Sequence, residues 1–330
     1  MKAAFINDTG APDKIIYGDL PTPEPVGTQV LIKVGAVSVN PIDTYIRNGA
    51  NYWELPKPYI VGSDVAGTVS AVGPEATRFK VGDRVWGTNQ GLVGRQGTFS
   101  EFCAVDECWL YPTPDNVSDE SAAAVALVAM TAYLGLFRDA NLREGETLFV
   151  NGGTGGVGSM VVQMGNATGA RVIATCGSDE KVEIAKELGA DVAVNYKTEN
   201  VSEAVSALAP DGVNVLWETT REPDFETLVG YLAERGRFVL MAGRDAKPPF
   251  PVGPFYVKGC TLHGFVMFKA TPDEQRKASE TINRWLSQGA LRPCISHRFT
   301  LEDAAKAHQL QEDNTLGRAG TTAGKIVLTP

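Results

Sequence analysis

Residues 148–163 read LFVNGGTGGVGSMVVQ: an apolar run, then five glycines among the seven residues 152–158, then a segment that reads as a helix. Gly153, Gly155 and Gly158 fit G-x-G-x-x-G. In that pattern the first glycine permits a tight turn, the second lets a pyrophosphate approach the backbone, and the third lets helix and strand pack closely. The helix N-terminus then offers free N–H groups and the positive end of a dipole to a phosphate. The motif is weak alone. Its place between a strand and a helix, at the head of a β-α-β series, is the confirming context.

Working outward, RVIATC reads as a second strand and SDEKVEIAKELGA as a helix ending at glycine. The strand DVAVNY, the helix NVSEAVSALA, the strand VNVLWET, the helix FETLVGYLAERG and the strand RFVLMAG follow. Strict alternation with nearly continuous apolar strands predicts an α/β fold whose parallel sheet is covered on both faces. The first ~120 residues differ, with short Val/Ile runs such as QVLIKVGAVSVN and DVAGTVSAVG. Pro21, Pro23, Pro25, Pro41, Pro56, Pro58 and Pro74 keep long helices out, which is the pattern of a mostly β domain. The tail holds TLHGFVMF, the helices TPDEQRKASETINRWLSQG and LEDAAKAHQLQED, and a last strand GKIVLTP.

The totals agree with two domains in 330 residues. A net charge of -9 argues against nucleic acid and anionic membrane as main partners. The longest apolar run, residues 122–137, is alanine-rich and shorter than the ~20 residues of a membrane span, so a buried helix is the better reading. The N-terminal stretch MKAAFINDTGAPDK lacks the apolar core of a signal peptide. Five scattered cysteines argue against a disulfide framework and for a reducing, cytoplasmic setting. The three histidines, His263, His297 and His308, leave the N-terminal domain without a His relay or a His-ligated metal.

The second strand of the series bears on the choice of dinucleotide. An NAD site usually has an acid about 20 residues past the glycines, on the ribose hydroxyls. Here Cys176, Gly177 and Ser178 hold that place and Lys181 follows, a small loop with a hydroxyl and a cation that suits a 2′-phosphate. NADP is therefore favoured over NAD. Asp179 and Glu180 more naturally start the next helix.

VNPIDTYIRNG, VGSDVAGTVSAVG, GDRVWG, NGGTGGVG and the closing GKIVL, in that order, resemble the zinc-independent, ζ-crystallin-like quinone oxidoreductases of the medium-chain dehydrogenase/reductase superfamily over nearly the whole chain. The zinc alcohol dehydrogenases of that superfamily differ from it in telling places. Their first zinc cysteine falls at Asn40, their G-H-E motif reads Gly62-Ser63-Asp64, and their four-cysteine loop is TNQGLVGRQGTFSEFC, so no metal site can be assembled. The resemblance implies a GroES-like catalytic domain (residues 1–122 and 265–330) around a Rossmann NADP-binding domain (residues 123–264), and a homodimer. It implies an NADPH-dependent reductase of a small electrophile, a quinone or an α,β-unsaturated carbonyl compound, by hydride or single-electron transfer.

By the same resemblance Asn40, Asp43 and Tyr45 line the cleft beside the nicotinamide. A helix cap is an equal reading of Asp43. Tyr52 is a further proton-donor candidate, by similarity to the enoyl thioester reductases, with a local spacing that differs by one residue. Thr131 matches the threonine near the nicotinamide, with a core helix position as the rival reading. Gly155, Gly156 and Val157 are expected at the pyrophosphate, and Ser178, Lys181 and Tyr196 at the 2′-phosphate. Gly243, Arg244, Phe265 and Val266 are expected around the nicotinamide half. Two rival functions share these cofactor residues: an enoyl thioester reductase using Tyr52, and a nucleotide-binding structural or sensor protein with little catalysis.

Overall fold

The computed structural model describes residues 1–50, 53–317 and 319–330. Two units emerge, Met1–Leu127 with Ala270–Pro330, and Val128–Lys269. In chain order the first holds β1 (Lys2–Ile6), β2 (Ile16–Asp19), β3 (Gln29–Val39), α1 (Pro41–Arg47), β4 (Tyr59–Ile60), β5 (Val65–Val72), β6 (Arg84–Gly87), β7 (Phe102–Asp106) and β8 (Leu110–Pro112), then the start of α2 (Asp119–Tyr133). Burial alternates along β3: Val30, Ile32 and Val34 are buried while Lys33 faces solvent, the period of a sheet with one covered face.

The second unit holds the alternation expected from sequence. It runs β9 (Thr147–Asn151), α3 (Gly156–Ala167), β10 (Arg171–Cys176), α4 (Asp179–Glu187), β11 (Val192–Asn195), α5 (Val201–Leu208) and β12 (Val213–Glu218). α6 (Phe225–Tyr231), β13 (Leu232–Leu240), α7 (Val252–Val257) and β14 (Thr261–Gly264) complete it. The sheet order is β11-β10-β9-β12-β13-β14 and every pairing is parallel. Counted within the sheet this is the doubly wound order of a dinucleotide-binding fold, with the order reversing beside β9. The glycine-rich turn leaves the C-terminal end of β9, at that reversal.

The chain then returns to the first unit through α8 (Pro272–Ser287), β15 (Ile295–Thr300), α9 (Ala304–Thr315) and β16 (Lys325–Thr329). β16 pairs antiparallel with β3, Ile326 opposite Val39 and Leu328 opposite Val37, so the last strand is built into the first unit's main sheet. That sheet runs β15-β16-β3-β5-β6-β8, with β7 also on β3, while β2-β1-β4 form a smaller one.

Two elements depart from the sequence reading. The helix over FETLVGYLAERG stops at Tyr231. Leu232 instead pairs with Val213 in the sheet, and Arg235 takes a φ of 59°. Lys258 explains the stop: its Nζ donates to the carbonyls of Val229, Gly230 and Leu232, acceptors that the last helical turn leaves open. The apolar run after residue 121 is helical and mostly buried, but past Tyr133 it widens into a π-turn over Leu134–Asp139.

His308 of α9 is fully buried, with its ring edge-on to Phe99 at 5.8 Å between centroids. Burial, and then the Arg47 guanidinium, push its pKa down to about 3 from 6.5. Below about pH 6.5 the unfolded chain takes up a proton at this site that the folded chain refuses, so stability falls as pH falls. The window of that loss runs from 6.5 to about 3. His308→Leu is expected to flatten the decline of denaturation free energy between neutral and mildly acidic pH by up to ~1.4 kcal/mol per pH unit. Denaturant titrations across that range check it; parallel curves for the two proteins would contradict the assignment.

Candidate functional site

In the second unit the glycine turn is shaped by contacts that no side chain would fit. Gly152 has a φ of 86°, and a Cβ there would lie 2.4 Å from Thr219 Oγ1. A Cβ on Gly158 would lie 2.0 Å from the Gly152 carbonyl oxygen, so the first turn of α3 rests directly on the strand-to-helix turn. Gly155 is the contrast. It is exposed and caps α3, and its Cβ position meets nothing closer than 3.7 Å. Gly156 and Val157 follow, half-buried, with first-turn N–H groups that have no partner inside the helix. No acidic side chain stands in this first turn. This concave, anion-seeking backbone fits a pyrophosphate.

The turn is held from behind by residues that the sequence did not single out. Glu218, fully buried at the end of β12, accepts from Asn151 Nδ2 at 2.8 Å. Thr175 Oγ1 donates to Asn151 Oδ1 at 2.6 Å and accepts from the Gly152 N–H at 3.0 Å. Thr219 Oγ1 donates to the Asn151 carbonyl at 2.6 Å, and the Glu218 carboxylate also takes the Thr220 N–H. Burial raises the pKa of Glu218 and these bonds oppose the rise. The available signal was a polar residue at or next to the C-terminal end of each of three adjacent strands.

At the tip of β10 the three residues expected at a 2′-phosphate come together. Ser178 is the N-cap of α4, its Oγ accepting from the Lys181 N–H at 3.4 Å. The Tyr196 hydroxyl lies 3.0 Å from where a Cβ on Gly177 would be, so the phenol leans over that glycine. Lys181 is half-buried, and desolvation, with a smaller contribution from the nearby Lys197, lowers its pKa. Two cations and two hydroxyls around a half-buried turn suit a phosphate dianion.

The other residues expected at the nicotinamide half are less gathered. Phe265 packs edge-on to Trp217 at 6.3 Å and lies under the Arg138 guanidinium at 5.5 Å. A side chain at Gly135 would strike the Trp217 ring at 2.4 Å and Phe265 at 2.9 Å. Thr131 is buried on α2, and Val266 is exposed. Gly243 has a φ of 82°, and Arg244 faces Asp245 at 3.8 Å.

The first unit carries a buried charged cluster. Asp64 Oδ2 accepts from Ser38 Oγ and Asn40 Nδ2, both at 2.7 Å, and its Oδ1 from the Leu127 N–H at 3.1 Å. Asp43 accepts from the Asn40 N–H and from Ser63 Oγ, both at 2.8 Å. It therefore caps α1 and also joins the cluster. Lys325, the first residue of β16, donates to the Val39 carbonyl at 2.8 Å and to Asn40 Oδ1, and lies 3.6 Å from Asp64 Oδ2. Burial lowers its pKa while Asp64 and Asp43 oppose that. The lysine thus faces the buried Asp64 carboxylate first, with Asp43 nearby. Both ends of the Asn40 amide are engaged within the cluster, and Tyr45 is half-buried further along α1. Tyr52 lies outside the described residues. Among the described residues no three His, Cys, Asp or Glu side chains gather to hold a metal, so the residues here do not fit zinc.

Residues 27–115 match the family model described as alcohol dehydrogenase GroES-like domain, and residues 156–284 match that described as zinc-binding dehydrogenase. The chain is 32% identical to a quinone oxidoreductase of Mus musculus, over 99% of this chain and 97% of the relative. It is 32% identical to a 2-methylene-furan-3-one reductase of Solanum lycopersicum, over 100% of this chain and 79% of that one. A solved mycobacterial structure complexed with NADPH covers 100% of both chains at 32% identity, with a TM-score of 0.86.

Burial, and then Asp64, raise the Asp43 pKa from 3.8 to about 7. Within that window the folded chain keeps a proton that the unfolded chain has released. The stability from this group is therefore complete below the lower value and lost as pH rises through the upper one. Relative to the parent, Asp43→Asn is expected to gain by up to ~1.4 kcal/mol per pH unit across the window. Urea midpoints of both proteins at mildly acidic and mildly alkaline pH check it; an unchanged gap would contradict the raised pKa.

Proposed function

The chain belongs to the quinone oxidoreductase family of the medium-chain dehydrogenases/reductases, and we propose that it is an NADPH-dependent reductase of quinones or α,β-unsaturated carbonyl compounds that works without zinc. The observation that carries the cofactor choice is the set at the end of β10: Ser178, Lys181 and Tyr196 around Gly177. The names of the mouse and tomato relatives support the acceptor classes. The NADPH complex of the mycobacterial neighbour supports the cofactor.

Bound NADPH would supply the hydride, or single electrons to some quinones. The chain's own residues do the rest. The backbone at Gly155, Gly156 and Val157 takes the pyrophosphate, and Lys181 pairs with the 2′-phosphate. Thr131, Gly243, Arg244, Phe265 and Val266 would hold the nicotinamide half. Asn40, Asp43 and Tyr45 serve the acceptor end, Asn40 and Asp43 by way of the buried cluster that fixes them. Reduction of an enone adds a hydride and a proton, and Tyr45, Tyr52 or solvent is the source of that proton. Five free thiols suit a reducing, cytoplasmic setting.

The working form is a homodimer joined at the outer edge of the parallel sheet. β14 ends that sheet, and Val252, Tyr256, Val257 and Leu262, on it and on α7 before it, are 42–70% exposed. An uncovered edge strand beside exposed apolar groups suits a second copy of itself.

Lys181→Ala is expected to weaken NADPH binding at least ~10-fold and NADH binding much less. Cofactor titrations read by protein fluorescence, beside turnover with an ortho-quinone, an enone and an enoyl thioester, test the reading. Equal loss for both cofactors would contradict the 2′-phosphate assignment, and turnover of the thioester alone would contradict the acceptor class. Tyr256→Glu with Val257→Asp is expected to give monomers in sedimentation; an unchanged mass would contradict the edge interface.

A further inference from the structure

Beside the 2′-phosphate set stands a carboxylate that ought to repel it. Asp179 directly follows Ser178 and opens α4. An acid near the end of the second strand is the feature by which such folds accept from ribose hydroxyls, and a free carboxylate there disfavours a phosphate dianion. In this structure Asp179 is tied. Its Oδ1 accepts from Asn195 Nδ2 at 2.6 Å.

Asn195 is buried at the end of β11, where it is the register partner of Cys176. Its side chain is used at both ends, Oδ1 accepting from the Lys197 N–H at 3.2 Å. Its backbone holds the following loop. The carbonyl accepts from Thr198 at 3.0 Å and Glu199 at 2.9 Å, and the N–H donates to Glu199 Oε2 at 2.8 Å. A neutral amide meets both side-chain demands at once, a donor for the carboxylate and an acceptor for the Lys197 N–H. An aspartate would set two carboxylates against each other, and an aliphatic residue would release Asp179.

We infer that Asn195 is a positioning residue for cofactor choice: it turns the Asp179 carboxylate away from the 2′-phosphate and fixes the loop that presents Tyr196 and Lys197. The inference rests on the NADPH reading above. Tyr196 and Lys197 follow Asn195 directly, Tyr196 reaches over Gly177, and Lys197 is close enough to Lys181 to lower its pKa. One amide therefore removes a repulsive charge and seats attractive groups, the two halves of a specificity device.

The test is binding to the full-length protein without substrate. Dissociation constants for NADP+ and NAD+ are measured for the parent, Asn195→Asp, Asp179→Asn and the double variant. Asn195→Asp is expected to weaken NADP+ at least ~10-fold and to leave NAD+ within about threefold. The double variant, with one amide and one carboxylate exchanged, is expected to recover most of the NADP+ affinity. Equal loss for both cofactors, or no recovery in the double variant, would overturn the inference and leave Asn195 a merely structural residue. A parent protein that binds NAD+ as well as NADP+ would instead overturn the NADPH reading itself. If Asn195→Asp does not fold, Asn195→Ala with and without Asp179→Ala gives the same comparison, with the same order of affinities expected.

Discussion

The first unit depends on one ammonium group. Lys325 lies among Val39, Asn40 and Asp64 with almost no access to water, and it joins the last strand of the chain to the start of α1. Two carboxyl groups and a lysine removed from solvent are costly unless their lone pairs and protons find partners. Here Ser38, Asn40, Ser63 and the Leu127 N–H provide those partners. Losing one member of such a buried pair typically costs about 3–5 kcal/mol, so the cluster fixes where β16 must dock and how α1 leaves β3.

The same ammonium governs the chemistry open to the unit. Where the resemblance to the zinc alcohol dehydrogenases leads one to expect metal ligands, this chain has Asn40 and Ser63 beside a lysine. A cation with three directed protons organises amides, hydroxyls and carboxylates, but it offers no open coordination site for an alkoxide. On the proposed reading the unit positions an acceptor, which suffices when the cofactor carries the reducing equivalents.

Sequence and structure meet most closely where local physics decides. The glycines of residues 152–158 were legible because their spacing itself follows from the turn they must make, and the strands were legible because parallel strands are nearly continuously apolar. Ser178, Lys181 and Tyr196 were expected together from sequence, and the structure places the first two at the start of α4 and the Tyr196 hydroxyl over Gly177. The end of α6 was not, because the lysine that stops it lies 26–29 residues away. Asn151, Thr175 and Glu218 were hidden for a similar reason: each looks like an ordinary strand end until the sheet order places them side by side. Lys325 read only as the start of a closing strand, since its partners are up to 286 residues distant.

The most direct measurement is NADPH oxidation by protein dialysed against EDTA and shown by elemental analysis to be free of zinc, with an ortho-quinone as acceptor. The account predicts a rate unchanged by chelation, because among the described residues no three His, Cys, Asp or Glu side chains gather to hold a metal. One zinc bound tightly per chain, with turnover lost on its removal and regained on its return, would contradict it.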